Sequence, residues 1–397
     1  MLVIVAPGQG AQSPGMLDPW LEDPTFVSRL TWLSAVAGLD LAHYGTKADA
    51  DTIRDTAIAQ PLLVGTGLVA ALSLFPHPAD AFATVGAGSG HSVGEITAAA
   101  GLGIISAEQA MVFVRERGNA MAYAAKQTPT SMTAILGGDR DEILAVLSKH
   151  GLTAANENGP GQIVAAGTVE QLTALADEPP AKVRLVPLSV AGAFHTDHMA
   201  PAVDRLRELG RAISTHDART MFISNLDGQV VHDGREVLKR LVRQVSQPVR
   251  WDLCMQTMTE LGVTGILEMP PAGTLTGIAK RALKGVDTLA LKTPDQLDEA
   301  REFAAKHAEG SQGNVQSAAP TWRLLVAPAK GTFHADTSIE AGHALEAGRH
   351  VGAVHSLRDQ IPVVAPHGGT VVEWLVEDGD LVSPGQPLIR LHPEASS

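Results

Sequence analysis

Short apolar runs alternate with stretches of helical hydrophobic spacing from residue 1 to about residue 307. Strand-like runs lie at residues 2–6, 82–86 and 265–268, and the segments between them carry apolar residues spaced as on helices. Such alternation is typical of a mostly parallel sheet covered by helices. The pattern therefore predicts an α/β domain over residues 1–307.

A second pattern is inserted into this domain. Residues 131–188 predict the order strand, helix, strand, strand, helix, strand, with helices at 139–150 and 168–177. This order is typical of a ferredoxin-like fold. We therefore expect a ferredoxin-like subdomain over about residues 126–190.

The C-terminal part has a composition and a repeat of its own. Residues 308–320 are rich in Gly, Ser, Gln and Ala and lack apolar periodicity, which predicts a flexible linker. Beyond it, VAPAKGT from Val326 recurs as VAPHGGT from Val364, and IEAGHALEAG recurs as VEDGDLVSPG. Two short-stranded, glycine-punctuated halves predict a small pseudo-symmetric all-β barrel over residues 321–397.

Composition and charge narrow the function classes. Of the 397 residues, 45% are hydrophobic and 18% are charged, which indicates two or three globular domains rather than extensive disorder. Lys and Arg number 30 against 43 Asp and Glu, and this net charge of −13 disfavours nucleic acid as the main partner. The single cysteine, Cys254, excludes an intrachain disulfide and a four-cysteine zinc site, and its apolar surroundings predict a core position.

The apolar segments do not predict secretion or membrane insertion. Residues 1–6 carry no basic segment and are followed by Pro7 and Gly8, unlike a signal peptide. The longest uncharged stretch, residues 56–79, contains three prolines that should leave its apolar core well short of the roughly 20 residues that span a bilayer. We therefore expect a buried helix there, in a cytoplasmic protein that does not enter a membrane.

The sharpest chemical signal is GHSVGE at residues 90–95, a G-x-S-x-G motif between a strand-like run and an apolar helical stretch. In such a nucleophile elbow, typical of a hydrolase-like parallel-sheet core, glycines permit the tight turn that presents Ser92, and the new helix directs amide groups at developing negative charge. A serine in an ordinary glycine-rich turn is one alternative. A dinucleotide-binding loop fits less well, because His91 stands where a third glycine is required.

A serine nucleophile needs a base, and His195 in VAGAFHTDHM is the best candidate among the 15 histidines. It follows a strand-like run at residues 182–190 and precedes a helix expected to begin near Met199. His195 and His198 also form an H-x-x-H pair that suits a metal, although no third ligand has zinc-like spacing. Two solvated loop histidines are the remaining alternative.

Six short motifs occur in a fixed order along the chain. They are PGQGAQ from Pro7, GHSVGE from Gly90, ERGNAM from Glu116, NENGPGQ from Asn156, GAFH from Gly192 and LVRQVSQPVRW from Leu241. In this order they resemble the malonyl-CoA:acyl carrier protein transacylase family, over about residues 1–291. The resemblance implies transfer of a malonyl group from CoA to acyl carrier protein, in fatty acid or polyketide synthesis, without a covalently bound cofactor.

The resemblance also implies a role for each residue of the site. Ser92 would be the nucleophile and His195 the base that takes its proton and later returns it to a leaving thiolate. The backbone carbonyl of Gln244 would orient the imidazole, as an Asp does in a triad. Gln9 and the Val93 amide would form the oxyanion hole, and a malonyl-serine ester would give ping-pong kinetics.

Arg117 would give the site its preference for malonyl. Its guanidinium can hold the free malonyl carboxylate through two parallel charge-assisted hydrogen bonds, so acetyl-CoA should bind poorly. The alternative is a helix-surface arginine paired with Glu116 or with an acid one helical turn away. Phe194, together with Val93, resembles the malonyl-selecting pocket of the family, in which a bulky ring excludes the α-methyl group of methylmalonyl.

Polar residues nearby would hold the rest of the substrate. Asn156 and Asn158, together with Lys182 or Arg184, would meet the phosphopantetheine arm that CoA and carrier protein share, although turn formation and solvation explain them equally well. The chain departs from the family in its glycine-rich approach to the elbow, residues 86–90, which predicts a looser turn.

The C-terminal repeat resembles a biotinyl or lipoyl carrier domain. Such domains present a lysine on a hairpin, and in HSLRDQIPVVAP this position holds Arg358. A guanidinium stays protonated and cannot act as the amine nucleophile, so neither biotin nor lipoate is expected. The domain would then be an inert appendage or a docking module for acyl carrier protein, for other fatty acid synthesis enzymes or for a biotin-dependent carboxylase.

Two other functions remain open from the sequence. The same Ser92 and His195 would serve a thioesterase or editing hydrolase in which water accepts the acyl group. A non-catalytic assembly scaffold is the second, and the presence of all the motif residues argues against it.

Overall fold

The computed structural model describes residues 1–308, 323–356, 359–366 and 368–393. The chain divides into two compact units, Met1–Asn314 and Val315–Ser397. The first contains helices and two sheets, and the described residues of the second form strands only. Each unit has an apolar core of its own.

The secondary-structure elements are numbered in chain order. The strands are β1 (Leu2–Ala6), β2 (Val85–Gly90), β3 (Thr130–Gly137), β4 (Thr153–Glu157), β5 (Gln162–Thr168), β6 (Val183–Pro187), β7 (Met221–Ile223), β8 (Val230–Val231), β9 (Val249–Arg250), β10 (Gly265–Glu268), β11 (Asp287–Ala290), β12 (Arg323–Val326), β13 (Gly331–Ala335), β14 (Ala344–Leu345), β15 (His350–His355), β16 (Gln360–Val364), β17 (Gly369–Trp374), β18 (Leu381–Val382) and β19 (Pro387–Pro393). The α-helices are α1 (Pro24–Ala37), α2 (Leu41–Thr46), α3 (Thr56–Leu74), α4 (Pro78–Thr84), α5 (Gly94–Gly101), α6 (Ala107–Ala125), α7 (Arg140–Lys149), α8 (Val169–Asp177), α9 (Ala200–Gly210), α10 (Gly234–Arg243), α11 (Trp251–Glu260), α12 (Thr274–Ala282) and α13 (Leu297–His307). Short 3-10 helices lie at Trp20–Glu22, Thr52–Arg54, Asp197–Met199, Gln244–Ser246 and Pro294–Gln296.

The larger sheet has the strand order β11-β10-β1-β2-β7-β8. Its neighbouring strands are parallel except for the β7–β8 hairpin. In β1, the side chains of Leu2, Val3 and Val5 are fully buried, as expected of a parallel strand covered on both faces. The carboxyl ends of β1 and β2 lie side by side, at the sheet edge where open α/β sheets bind ligands.

Strand β2 begins later than predicted, because residues 82–84 complete helix α4. The strand covers Val85–Gly90, every residue of which is buried, and its alternating glycines gave no apolar signal. A Cβ atom at Gly88 would lie 3.1 Å from Leu102 Cδ1. Because glycine has no side chain, Leu102, just after α5, packs directly on the strand. The glycines of β2 thus allow close packing, and a looser turn at the elbow stays a prediction.

The second sheet has the strand order β6-β3-β5-β4-β9. Strands β3 to β6 pair antiparallel, whereas β9, which follows much later in the chain, pairs parallel with β4. Helices α7 and α8 are capped by Asp139 and Thr168, whose side chains accept backbone N–H groups of the first turn. A small separate core, which includes Ile135, Ile143 and Leu175, lies between these helices and the sheet.

Helix α3 is longer than the prolines of this segment suggested. It runs for 19 residues with Pro61 inside it, so by length and hydropathy it is able to span a membrane. However, 72% of its apolar window is buried in the protein, and it packs against α1, α5 and α6. The helix therefore has the burial expected of a core helix.

The second unit consists of two four-stranded antiparallel sheets, β12-β19-β17-β14 and β16-β15-β13-β18. Exchanging the first four strands with the last four converts one order into the other, in agreement with the sequence repeat. The Gly342 N–H donates to Val371 O, and the Gly379 N–H makes the equivalent bond to Phe333 O, each at 2.8 Å or less. Arg358 follows β15 and precedes β16 in the sequence and lies outside the described residues.

Candidate active site

Ser92 occupies the sharp turn between β2 and α5. Its φ of 52° lies in the left-handed region, a strained conformation that this turn imposes on the serine. The two glycines of the motif are needed for close backbone packing: a Cβ atom would lie 2.0 Å from Gly94 C at Gly90, and 2.1 Å from Ala6 O at Gly94. The motif therefore fits here because its glycines let β1, β2 and α5 meet.

Asn225, which follows β7, holds the turn from the adjacent strand. Its Oδ1 accepts the Ser92 N–H at 2.8 Å, and its Nδ2 donates to Gly90 O at 2.6 Å. Its own N–H donates to Glu95 Oε1 at 2.5 Å. One asparagine thus fixes the backbone on both sides of Ser92, and the sequence analysis missed it.

His195 contacts Ser92 directly. The Ser92 Oγ lies 2.8 Å from His195 Nε2, and His195 Nδ1 lies 2.7 Å from Gln244 O. A carbonyl only accepts, so Nδ1 carries the proton and Nε2 is free to accept from the serine hydroxyl. Burial, together with the nearby charge of Arg117, lowers the pKa of His195 to about 3 and keeps it neutral at physiological pH.

Arg117 reaches the same hydroxyl from α6. It is 0% exposed, and its Nη2 donates to Ser92 Oγ at 3.3 Å and to Gln244 Oε1 at 2.8 Å. Its Nη1 donates to Gln60 Oε1 at 2.6 Å, whereas its Nε is buried without a partner among the described residues. Burial lowers the pKa of Arg117 to about 9, which leaves the guanidinium charged at pH 7.

The alternative partner of Arg117 is occupied elsewhere. Glu116 Oε2 lies 2.5 Å from Arg205 Nη2, and its Oε1 lies 3.2 Å from Arg115 Nε. Since Glu116 points away from Arg117 into these partly exposed ion pairs, Arg117 is a buried cation held by neutral acceptors.

The side chain of Gln244 joins the site to a buried carboxylate. Its Nε2 donates to Ser92 O at 3.0 Å and to Glu95 Oε2. Burial raises the pKa of Glu95 to about 7, although its hydrogen bonds and the charge of Arg117 act in the opposite direction. From the sequence only the backbone carbonyl of Gln244 is expected to act, and no local signal distinguishes Glu95.

Gln9 follows β1, whose carboxyl end pairs with that of β2, and Val93 directly follows Ser92 in the chain. The Gln9 side chain does not point at the hydroxyl, because its Nε2 donates to Arg54 O at 3.2 Å and to Thr56 Oγ1 at 3.3 Å. Within the described residues, the backbone N–H groups of Gln9 and Val93 make no hydrogen bond. Backbone donors, rather than the Gln9 side chain, are therefore available there.

The other predicted residues lie at varying distances from the chemistry. Phe194 is buried in the main core beside His195. Asn158 reaches the elbow indirectly, since its Oδ1 lies 2.8 Å from His91 Nε2. Asn156 is buried in β4, while Lys182, just before the edge strand β6, and Arg184, within it, are exposed.

The structure also bears on a metal pair of His195 with His198 and on the position of Cys254. Both ring nitrogens of His195 already contact protein groups, so a pair with His198 would have to break one of these hydrogen bonds. Cys254 is fully buried, and its Sγ donates to Ser224 O at 3.4 Å.

Comparison with known proteins identifies the family of the chain. Residues 3–315 match the family model "Acyl transferase domain". The malonyl CoA-acyl carrier protein transacylase of Mycobacterium tuberculosis is 48% identical over 304 aligned residues, and the alignment covers 75% of this chain and 99% of the relative. The chain belongs to the malonyl CoA-acyl carrier protein transacylase family.

Solved structures of the transacylase family have the same fold. The crystal structure of MCAT from Mycobacterium tuberculosis aligns with a TM-score of 0.72 at 47% identity, covering 76% of this chain and 99% of that one. A type II PKS acyl-carrier protein in complex with its malonyl-transacylase aligns with a TM-score of 0.71 at 28% identity, with the same coverage. The transacylase match therefore concerns the first unit, since the family model ends at residue 315.

Proposed function

We propose that this chain transfers a malonyl group from CoA to the phosphopantetheine thiol of acyl carrier protein through a malonyl-serine ester. The observation that carries the proposal is that one hydroxyl, Ser92 Oγ, lies within hydrogen-bonding distance of both His195 Nε2 and Arg117 Nη2. A base and a fixed cation at one nucleophile suit an acyl donor that carries a carboxylate.

The reaction consists of two half-reactions. His195 Nε2 takes the proton as Ser92 Oγ attacks the thioester carbon, and the Gln244 carbonyl stabilises the imidazolium through the Nδ1 proton. When the C–S bond breaks, the CoA thiolate takes this proton and leaves as the thiol. In the second half His195 deprotonates the carrier thiol, the thiolate attacks the ester carbon, and the C–O bond breaks as His195 returns the proton to Ser92 Oγ.

Backbone donors would stabilise the tetrahedral intermediates. The N–H groups of Gln9 and Val93 make no hydrogen bond within the described structure, and the Val93 N–H lies at the N-terminus of α5, where the helix dipole favours negative charge. We assign the oxyanion hole to these two amides.

The remaining assignments concern the substrate. The partnerless Nε of Arg117 and its Nη2 form an edge that suits the malonyl carboxylate. Phe194 would exclude an α-methyl group. Asn156 and Asn158, with Lys182 or Arg184, would contact the phosphopantetheine arm, and the Asn158–His91 bond supports this at the elbow.

Intact-mass measurement of the full chain mixed with malonyl-CoA tests this function. We expect a malonyl-sized adduct that S92A lacks and that disappears when acyl carrier protein is added, with malonyl recovered on the carrier. Release of free malonate at the same rate with and without acyl carrier protein would instead indicate a thioesterase. Absence of any adduct on the wild-type protein would refute the assignment.

We also propose the finer architecture suggested by the sequence. The order β3-α7-β4-β5-α8-β6, with the sheet order β6-β3-β5-β4, supports a ferredoxin-like subdomain over about residues 126–190 within a hydrolase-like core. The domain boundaries 1–307, 308–320 and 321–397 and a cytoplasmic location remain our predictions.

For the second unit we propose a biotinyl- or lipoyl-like fold without the attached cofactor. Its support is the exchange symmetry of its two sheets and the arginine at position 358. We expect no biotin or lipoate by mass, and biotinylation of R358K, but not of the wild type, by a biotin protein ligase. Loss of carrier-protein or carboxylase capture on truncation near residue 310 would support a docking role, and unaltered capture would reject it.

A further inference from the structure

Glu95 is a buried carboxylate that the transfer chemistry does not use. It is 1% exposed in the first turn of α5, three residues after the nucleophile. Its Oε1 accepts the Asn225 N–H at 2.5 Å, and its Oε2 accepts Gln244 Nε2. Burying a carboxylate costs free energy. A carboxylate interacts favourably with a helix N-terminus without being buried, so this interaction alone does not explain the burial of Glu95.

The hydrogen bonds of Glu95 determine which way the Gln244 amide points. Ser92 O only accepts, and so does the Glu95 carboxyl in its ionised form, so the NH₂ end of Gln244 faces these two groups. The Oε1 end then faces Arg117 Nη2, at 2.8 Å. With the amide reversed, an oxygen would face two acceptors and an NH₂ group would face the guanidinium.

Gln244 also keeps the two buried charges apart. Among the described residues, Glu95 and Arg117 form no ion pair and each contacts Gln244 instead, although the charge of each affects the other. A direct pair would occupy the guanidinium and leave less of it for a substrate anion. The intervening amide instead orients Arg117 while its Nε stays without a partner.

We propose that Glu95 is a positioning residue for malonyl selectivity, which fixes the Gln244 amide so that Arg117 is held ready for the substrate carboxylate. This inference rests on the proposed transacylase function. It assigns to Glu95 an effect on carboxylate recognition, and none on the proton transfer between Ser92 and His195.

Glu95→Gln is the matched substitution, because it keeps the shape and replaces one acceptor with a donor. The new NH₂ group would face either the Asn225 N–H or Gln244 Nε2, and turning the Gln244 amide to relieve this would set a donor against Arg117. We expect the KM for malonyl-CoA in Ser92 acylation to rise about tenfold, or about 1.4 kcal/mol, with kcat changed less than about twofold. The acylation rate with acetyl-CoA should stay within about twofold, because acetyl has no carboxylate.

Glu116→Gln is the control, since it makes the same change in the residue next to Arg117, which forms partly exposed ion pairs. It should leave the acylation kinetics with malonyl-CoA and acetyl-CoA unchanged. If E95Q does not fold, Q244L carries the test, because it keeps the backbone carbonyl at His195 and removes the amide bridge. In the double variant E95Q/Q244L, the loss of malonyl preference should not exceed that of Q244L alone.

The possible results distinguish a failure of the proposed function from a failure of the role assigned to Glu95. A wild-type chain that forms no malonyl adduct refutes the proposed function, and the role of Glu95 with it. A wild type that prefers malonyl, alongside a folded E95Q or Q244L variant with the same preference, refutes only the role of Glu95. An equal loss of malonyl and acetyl turnover in E95Q would also overturn it, since it would indicate a general structural defect.

Discussion

The exchange Arg117→Met gives the sharpest test of substrate recognition. Methionine keeps the unbranched shape of the buried side chain and removes its charge and all its donors. Three of those donors bind Gln60, Gln244 and Ser92, whereas the Nε group has no partner among the described residues. The substitution therefore removes the carboxylate site without touching the Ser92–His195 contact.

The size of the effect follows from these contacts. A malonyl carboxylate would gain a hydrogen bond to the unpaired Nε and replace the long 3.3 Å contact between Nη2 and Ser92 Oγ. Charge-assisted hydrogen bonds contribute about 1.5–3 kcal/mol each, so we expect R117M to lower kcat/KM for malonyl-CoA by at least about 100-fold. Acetyl-CoA should react no more slowly than with the wild type, because it has no carboxylate contact to lose and removal of the Arg117 charge does not weaken His195 as a base.

The assay is rapid quenching of the acylation reaction, with the acyl-serine fraction counted by intact mass for both thioesters. Far-UV circular dichroism and the unfolding midpoint of R117M check that the fold is kept, because the lost partners leave Gln60 and Gln244 oxygens buried and unpaired. If R117M retained the wild-type ratio of malonyl to acetyl acylation, the assignment of Arg117 would be wrong.

Two further predictions concern stability. Gly94→Ala should lower the free energy of unfolding by at least about 2 kcal/mol, because its Cβ would lie 2.1 Å from the carbonyl oxygen of Ala6; Gly101→Ala, in open space at the end of the same helix, should be neutral or stabilising in the same urea titration. For His195, whose pKa burial lowers from 6.5 to about 3, the unfolded chain binds a proton in this pH window that the folded chain excludes. Wild type should therefore lose stability relative to H195Q as pH falls through the window, by up to ~1.4 kcal/mol per pH unit, and parallel curves would contradict this. Glu95, whose pKa is raised from 4.5 to about 7, acts in the opposite direction, but both chains carry it and the comparison removes its effect.

The sequence predicted the parts of the site that are local. A strand, two glycines and a helix occur within a few residues of Ser92, so the turn is visible as a pattern. His195 could be proposed from its loop of small residues, but its contact with Ser92 joins positions 103 residues apart and needed the structure. Helices α7 and α8 were predictable because their caps and apolar spacing lie within each segment.

The features that the sequence could not predict depend on long-range contacts or on glycines, which have no side chain. Glu95 and Asn225 lie 130 residues apart, and nothing in the local pattern distinguishes Glu95 from an ordinary acid in the first turn of a helix. Strand β2 was misplaced because glycines carry no hydrophobic signal, although the strand is fully buried. Helix α3 continued through Pro61 because tertiary packing outweighed the loss of one helical hydrogen bond.

The buried charges near Ser92 also lead to an expectation about when the base is strongest. After burial itself, the charge of Arg117 is the largest cause of the low pKa of His195, and it makes the imidazole a weak base in the free protein. A bound malonyl carboxylate would neutralise that charge, so the pKa of His195 should rise when malonyl-CoA binds and stay low when acetyl-CoA binds. Nitrogen NMR of His195 in S92A, which cannot be acylated, measures this pKa in each complex. An equal pKa with both thioesters would mean that Arg117 selects the substrate by binding alone, while a rise only with malonyl would make the same cation responsible for both recognition and activation of the base.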